Sequence, residues 1–123
     1  MAEKDVRGRA GEECAAHYLE AQGWALLDRN WRCAQGELDI VARDGRCIVA
    51  VEVKTRRTLT YGHPFEAVTD RKLDRLHRLL RAWLAAHPGA GRGCDLRVDT
   101  IAIVGEDPRT GVMEHLRDVA VLR

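Results

Sequence analysis

The spacing of apolar residues predicts two helices in this chain. Ala15 and Leu19 belong to an apolar stripe that predicts a first helix over about 7–21, and the glycine of "QG" that follows is a typical helix stop. A longer helix is predicted over about 64–87, where apolar residues recur every three or four positions until "PGAGRG". Both helices are amphipathic, so each is expected to cover one face of a sheet.

Four segments have the pattern of strands. They are residues 24–30, 37–43, 46–55 and 95–105. "RDGR" at 43–46 is expected to join the second and third strands as a hairpin, because Asp-Gly readily adopts the positive φ that such a turn needs. The third strand is apolar on both faces, as is typical of a central strand. The tail from Val112 is expected either to add an edge strand or to pack loosely.

The element order α-β-β-β-α-β predicts an α/β fold with a mixed sheet between helices. The chain has 123 residues, which predicts one domain over residues 1–123. Hydrophobic residues make up 46% and charged residues 32%, a composition typical of a globular protein. A net charge of +1 excludes a strongly basic fold but leaves the partner open.

The chain carries no sign of export or membrane insertion. Its start, "MAEKDVRGRAGEE", is polar, and no apolar run approaches the roughly 20 residues that a membrane span needs. None of the four cysteines belongs to a C-x-x-C pair, so the pattern does not favour a zinc site. We therefore expect a cytoplasmic protein with reduced thiols and no membrane partner.

Three charged residues interrupt the apolar strands of the hairpin. Asp39 lies in the second strand, and Glu52 and Lys54 lie two residues apart on one face of the third. Counting back from the turn places Asp39 near the level of Lys54 to Glu52, within a residue or two of register. Two carboxylates and an ammonium can therefore converge at one end of the hairpin.

This set of groups suits a divalent cation and a phosphate. Two nearby carboxylates repel unless one is protonated or a cation lies between them, and Mg²⁺ is usually held by one or two carboxylates together with water and substrate phosphates. Lys54 would position the attacking water or stabilise the transition state. The structural alternative is an exposed Glu52–Lys54 ion pair worth less than about 1 kcal/mol, with Asp39 as a hydrogen-bonding residue at the strand end.

Motifs along most of the chain resemble a known group of proteins. They are "GxxGExxAxxYL" at 8–19, "RNWR" at 29–32, "GELDIVA" at 36–42, "VEVKTR" at 51–56, the Gly62/Ala67/Lys72 spacing and "RVDTIAIV" at 97–104. Together they resemble the YraN-type family of uncharacterised bacterial proteins, and the D-x12-E-x-K pattern resembles the PD-(D/E)XK restriction-endonuclease-like superfamily. No proline precedes Asp39, and the second helix lacks the Q-x-x-x-Y element of RecB-like nucleases, which argues against that branch.

The resemblance implies a fold and a third carboxylate. The fold is a restriction-endonuclease-like three-layer sandwich similar to the archaeal Holliday-junction resolvases. In such enzymes a glutamate of the first helix joins the metal site, and Glu12 is the matching residue here. The structural alternative for Glu12 is a solvated acid that the positive end of the helix dipole stabilises.

Basic residues supply candidate contacts to nucleic-acid phosphates. Arg56 and Arg57 follow the third strand directly, and Lys72 and Arg75 recur on the second helix. For the helix, a solvated face with i,i+4 ion pairs is the alternative.

We therefore expect a nuclease that uses Mg²⁺ or Mn²⁺ to hydrolyse DNA, with branched or structured DNA as one option. Its metal ligands would be Asp39, Glu52 and Glu12, and Lys54 would complete the catalytic set. The alternatives are a non-catalytic nucleic-acid-binding module of the same fold and a protein-interaction subunit. A homodimer is also open.

Overall fold

Residues 3–119 fold into two α-helices, one short 3₁₀ turn and five strands. The structure, a computed structural model, describes residues 3–119, with side chains from residue 5 onward. In chain order the elements are α1 Glu3–Ala21, β1 Ala25–Cys33, β2 Gly36–Asp44, β3 Cys47–Arg56, α2 Asp70–Ala86, β4 Asp95–Val104 and β5 Val112–Leu116.

The strands form one mixed sheet in the order β1-β2-β3-β4-β5. Neighbouring strands are antiparallel except for β3 and β4, which are parallel. A parallel pair needs a long crossover connection, and α2 provides it. The sheet lies between α1 and α2, so the predicted α/β three-layer sandwich is confirmed and is consistent with a restriction-endonuclease-like arrangement. The segment from Val112 adds an edge strand, the first of its two predicted options.

Each face of the sheet packs against one helix. The α1 face is built around Ala15, Leu19, Ile40, Val51 and Ile101. The α2 face is built around Leu38, Ala50, Leu76, Leu80 and Val98. This division explains why β2 and β3 are apolar on both faces.

Helix α1 approaches β3 most closely at Gly11. A Cβ at this position would collide with the side chain of Thr55. Glycine is therefore needed here for close packing, since its φ is that of an ordinary helix residue. Glu12 follows directly, so this contact also positions the predicted third carboxylate.

The predicted second helix is wrong at its beginning. Residues Pro64–Ala67 form a separate 3₁₀ turn, and α2 begins only at Asp70. Thr69 is extended, with φ −85° and ψ 167°, and its hydroxyl accepts a hydrogen bond from the Lys72 N–H at 3.2 Å. This N-cap satisfies a free donor of the helix and defines its start. The imidazole of His63 accepts from the Phe65 N–H at 3.1 Å and caps the 3₁₀ turn in the same way.

The hairpin register agrees with the prediction from its turn. Asp44 pairs with Cys47, and the ladder continues to the pair Ile40–Val51. Beyond that pair the regular alternation of β2 ends, because Leu38 and Ile40 belong to opposite faces. The sequence pattern predicts regular alternation here, with Glu37 and Asp39 on one face and Leu38 and Ile40 on the other. This prediction is wrong, and the irregularity occurs at Asp39.

A buried polar network joins α1, β4 and β5 outside this hairpin. Asp99 is fully buried and binds Arg97 through two hydrogen bonds of 2.9 and 3.0 Å. Its carboxylate also binds His115 Nε2 at 2.8 Å and the N–H of Asp118 at 2.9 Å. Burial acts to raise the pKa of Asp99, but the hydrogen bonds from His115, Arg97 and the Asp118 N–H outweigh burial and lower this pKa. The hydrogen bond between His115 of β5 and Asp99 of β4 therefore helps to fasten the edge strand to the sheet.

Among the described helices, none has the length and apolar character that a membrane crossing requires. The four cysteines are free thiols and half-buried.

Candidate acidic site at the end of the hairpin

Asp39 and Glu52 form a hydrogen-bonded carboxyl pair where β2 and β3 separate. They lie just beyond the last pair of the ladder, Ile40 and Val51, because Asp39 precedes Ile40 and Glu52 follows Val51. Their side chains are hydrogen-bonded to each other. Asp39 Oδ2 also accepts from the Val53 N–H at 2.9 Å. The Asp39 side chain thus gives the β3 backbone an acceptor beyond the end of the β2 ladder, and this anchors the pair.

The pair holds one proton at neutral pH. Burial, the hydrogen bond with Glu52 and the charge of Glu52 raise the pKa of Asp39 to about 9, although the Val53 N–H opposes them. For Glu52, burial acts to raise the pKa, but the hydrogen bond from Asp39 and the charges of Lys72 and Lys54 outweigh it and lower the pKa. The pKa values of two carboxyl groups that share a site move apart in this way, because the charge of the first ionised group opposes ionisation of the second.

Lys72 of α2 contacts the ionised member of the pair. Its Nζ lies 3.0 Å from Glu52 Oε2, and the exposed side-chain fractions are 30% for Lys72 and 9% for Glu52. These groups line a cavity of about 200 Å³ between the sheet and α2. The other lining residues are Glu37, Asp39, Arg75, Leu76 and Leu79. The predicted basic residues Lys72 and Arg75 therefore lie in the same cavity as Asp39 and Glu52.

Glu12 lies on the opposite side of Asp39. Both side chains line a wider groove of about 810 Å³ between α1 and the β1–β2 strands. Burial raises the pKa of Glu12, a hydrogen bond with Asn30 acts against this, and the charge of Glu37 adds to the rise. The Glu12 charge also contributes to the raised pKa of Asp39. Asp39 therefore borders both cavities, and Glu12 is its electrostatic neighbour.

The carboxylates do not form a closed metal cage. Within residues 3–119, no group of three or more His, Cys, Asp or Glu side chains is placed to hold a metal ion. Mg²⁺ nevertheless commonly uses one or two protein carboxylates with water and phosphate oxygens, and the Asp39–Glu52 pair offers two. The ligand role of Glu12 stays a prediction.

The remaining predicted residues lie farther along β3. Lys54 is half-buried, and its charge contributes to the lowered pKa of Glu52, as their expected common face requires. Arg56 donates to the Thr55 carbonyl at 3.0 Å, and Arg57 Nε lies 3.8 Å from Glu106 Oε2. Arg56 and Arg57 are not among the residues that line the two cavities beside Asp39. Their predicted contact with nucleic acid stays a prediction.

Sequence reasoning missed two residues of this site. Asn30 has a φ of 53° and its side chain binds Glu12, while Glu37 lines both cavities. Asparagine adopts positive φ more readily than most residues, so "RNWR" contained a signal for a special backbone position. Glu37 lies two residues before Asp39 and was visible as another acid in the same strand.

Fold and site together define a class of protein: an α/β sandwich whose central hairpin ends in a carboxyl pair, with Lys72 of the second helix in contact with that pair. The profile of the Uncharacterised protein family UPF0102 matches residues 11–103. The chain belongs to this family, which confirms the predicted membership in an uncharacterised YraN-type family.

Relatives match nearly the whole chain. A UPF0102 protein of Arthrobacter sp. (strain FB24) is 54% identical over 119 residues, which cover 97% of this chain and 99% of the relative. UPF0102 proteins of Pseudarthrobacter chlorophenolicus and Beutenbergia cavernae are each 50% identical, with 100% and 97% of this chain covered. The matches cover 92% and 99% of these two relatives.

Proposed function

We propose that the protein is a nuclease that hydrolyses phosphodiester bonds in DNA with the help of Mg²⁺ or Mn²⁺. The observation that carries this proposal is the Asp39–Glu52 pair, whose carboxyl groups meet at the edge of two cavities. Branched or structured DNA is one substrate option within the proposal.

The donor chemistry of the pair fits a hard divalent cation. All its donor atoms are oxygens, and the proton that the pair retains at neutral pH reflects a repulsion that a cation would relieve. When bound, the metal would activate a phosphate and a water molecule as a Lewis acid. Asp39 and Glu52 would hold it, with Glu12 assisting from the groove on the α1 side.

Lys54 is the proposed partner of the attacking water. It follows Glu52 by two residues on the same strand, and its charge already acts on the Glu52 carboxylate. An ammonium in this place would orient the water and stabilise the negative charge that develops on the phosphate.

Basic residues of α2 give a path for the DNA backbone. Lys72 and Arg75 line the cavity that contains the acids, and Arg75 continues into a groove of about 340 Å³ with Arg78 and Gln35. Phosphate contacts of this kind give affinity that falls as salt rises. Arg56 and Arg57 would extend the contact from the end of β3.

A non-catalytic nucleic-acid-binding module is the second candidate, and one observation favours it. The charges of the site are balanced without a metal, since Asp39 retains a proton and Lys72 pairs with Glu52. The third candidate, a protein-interaction subunit, would use the edge strand β5, where Val112 and Leu116 are exposed.

The test is cleavage of labelled duplex, single-stranded and four-way-junction DNA with Mg²⁺ or Mn²⁺. We expect Asp39→Asn and Lys54→Ala to retain less than about 1% of the wild-type rate, because groups that act on the transition state contribute about 10²–10⁴-fold. The matched controls are Asp95→Asn and Arg81→Ala, which replace a carboxyl group and a cationic group at exposed positions.

The outcomes separate the three candidates. Metal-dependent cleavage that both site variants retain would refute the assignment of the site. Salt-sensitive DNA binding without cleavage would favour the binding module. The absence of salt-sensitive binding would favour the protein-interaction subunit.

A further inference from the structure

Lys72 is held against Glu52 by the first turn of α2. The Thr69 hydroxyl caps the helix through the Lys72 N–H, and this fixes where the Lys72 side chain leaves the backbone. Its ammonium reaches Glu52 Oε2 at 3.0 Å across the cavity. Because Glu52 is nearly buried, the pair is shielded from solvent and interacts more strongly than an exposed ion pair.

This contact places a cationic side chain at the oxygen that a metal ion would need. Lys72 Nζ lies 3.0 Å from Glu52 Oε2, and both residues line the cavity that also contains Asp39. A divalent cation held by Asp39 and Glu52 would therefore lie beside the ammonium of Lys72. Two positive charges at one carboxylate repel each other, so binding of the cation would weaken the contact of Lys72 with the Glu52 oxygen.

We propose that Lys72 is a tethered counter-ion that competes with the divalent cation for Glu52, and that the bound cation displaces it onto a phosphate of the DNA. This inference rests on the proposed function, because it assigns a second role to a residue of the same site. It makes metal binding a condition for Lys72 to bind substrate.

The surroundings of Lys72 allow this movement. Its side chain is 30% exposed and lines the cavity, so the ammonium can leave Glu52 without crossing the core. The four-carbon stem is flexible, unlike the planar fork of an arginine. Arg75 lies in the same cavity one turn farther along α2, where a phosphate would meet both cations.

Calorimetric titration of the whole protein with MnCl₂ tests the competition. We expect Lys72→Met to bind Mn²⁺ about 10-fold more tightly than the wild type, a size typical of coupling between two binding events. Arg71→Met is the matched control, because Arg71 is the exposed neighbour on the same helix. It should stay within about 3-fold of the wild type, since charges exposed to solvent are screened.

Thermal unfolding gives a second readout that does not depend on activity. Without metal, Lys72→Met should unfold at a lower temperature than the wild type, because Glu52 loses its partner. Saturating Mn²⁺ should raise the midpoint of the variant by more than it raises that of the wild type. Lys72→Gln replaces Lys72→Met if the latter does not fold.

Mn²⁺ affinity that is the same in Lys72→Met and Arg71→Met, or weaker in Lys72→Met, would overturn the inference and leave the proposed metal site intact. Mn²⁺ binding that Asp39→Asn does not weaken, or no binding by any variant, would instead refute the metal site itself. The failure of this inference is therefore distinguishable from the failure of the proposed function.

Discussion

Replacing Asp39 by asparagine should make the protein more stable, and increasingly so as the pH rises. The pKa of Asp39 is raised from 3.8 to about 9 by burial and by Glu52. The folded-state pKa lies above the unfolded-state value, so stability from the protonated carboxyl is complete below pH 3.8 and is lost as the pH approaches about 9. The asparagine side chain does not ionise, so the variant lacks this loss of stability at rising pH.

The size of the effect follows from proton binding. Between about pH 5.5 and pH 8 the folded state holds one proton more than the unfolded state, which lowers the free energy of unfolding by about 1.4 kcal/mol per pH unit. Over this window the loss is about 3 kcal/mol for the wild type, and it should be absent in Asp39→Asn. The window lies above the range in which Glu52 takes up a proton, so Glu52 does not mask the effect.

The substitution preserves the local hydrogen bonds. The amide of asparagine can donate to Glu52 as the protonated carboxyl does, and its oxygen can accept from the Val53 N–H, as Asp39 Oδ2 does. The expected gain in the free energy of unfolding therefore comes from the loss of the titrating proton rather than from a change in packing.

Urea denaturation with chelator present, at several values between pH 5.5 and pH 8, measures this difference. Asp95→Asn is the matched control, because Asp95 is exposed and begins β4. All ionisable groups other than the substituted carboxyl are common to the three proteins, so their contributions cancel in the comparison. A stability difference between Asp39→Asn and the wild type that does not change with pH would show that the carboxyl pair holds no shared proton.

Two further predictions concern packing and the buried network. Gly11→Ala should destabilise the protein by about 1–3 kcal/mol, because its Cβ collides with Thr55, whereas Gly8→Ala should stabilise it by up to about 1 kcal/mol, because nothing lies within 4 Å of that Cβ. Thermal unfolding of the two variants checks both signs, and a loss of equal size in both would contradict the packing explanation. Asp99→Asn should cost about 3 kcal/mol at pH 7, because Arg97 and His115 lose an ionised partner. The pKa of Asp99 is lowered, so its contribution is present above the unfolded-state value of 3.8 and is lost as the pH falls through the folded-state value. Urea denaturation at pH 7 and pH 3 should therefore show a smaller deficit at the lower pH, and a deficit of constant size would argue against an ionised Asp99.

The sequence predicted the hairpin well because its information is local. The Asp-Gly turn fixes the pairing of Asp44 with Cys47, and register then places Asp39 beside Glu52. The beginning of α2 was harder to predict from the sequence, because Pro64 is compatible with the first turn of either a 3₁₀ helix or an α-helix. The extended conformation of Thr69 decided between them.

Contacts between distant segments were not predictable in the same way. Lys72 reaches Glu52, and Asn30 reaches Glu12, only because the helices lie at particular positions over the sheet. Asp99 is a different case. It is a charged residue in the apolar strand "RVDTIAIV", the same signal that drew attention to Asp39, and that signal was sufficient to predict a buried, paired carboxylate.

The contact between Gly11 and Thr55 makes the two walls of the site mechanically unequal. On the α1 side, helix and strand touch through a glycine, so that wall cannot move inward around a ligand. On the α2 side, the long side chains of Lys72 and Arg75 form the wall. Ligands of different width would therefore be accommodated by side-chain rotation on one side, while the opposite wall stays in place.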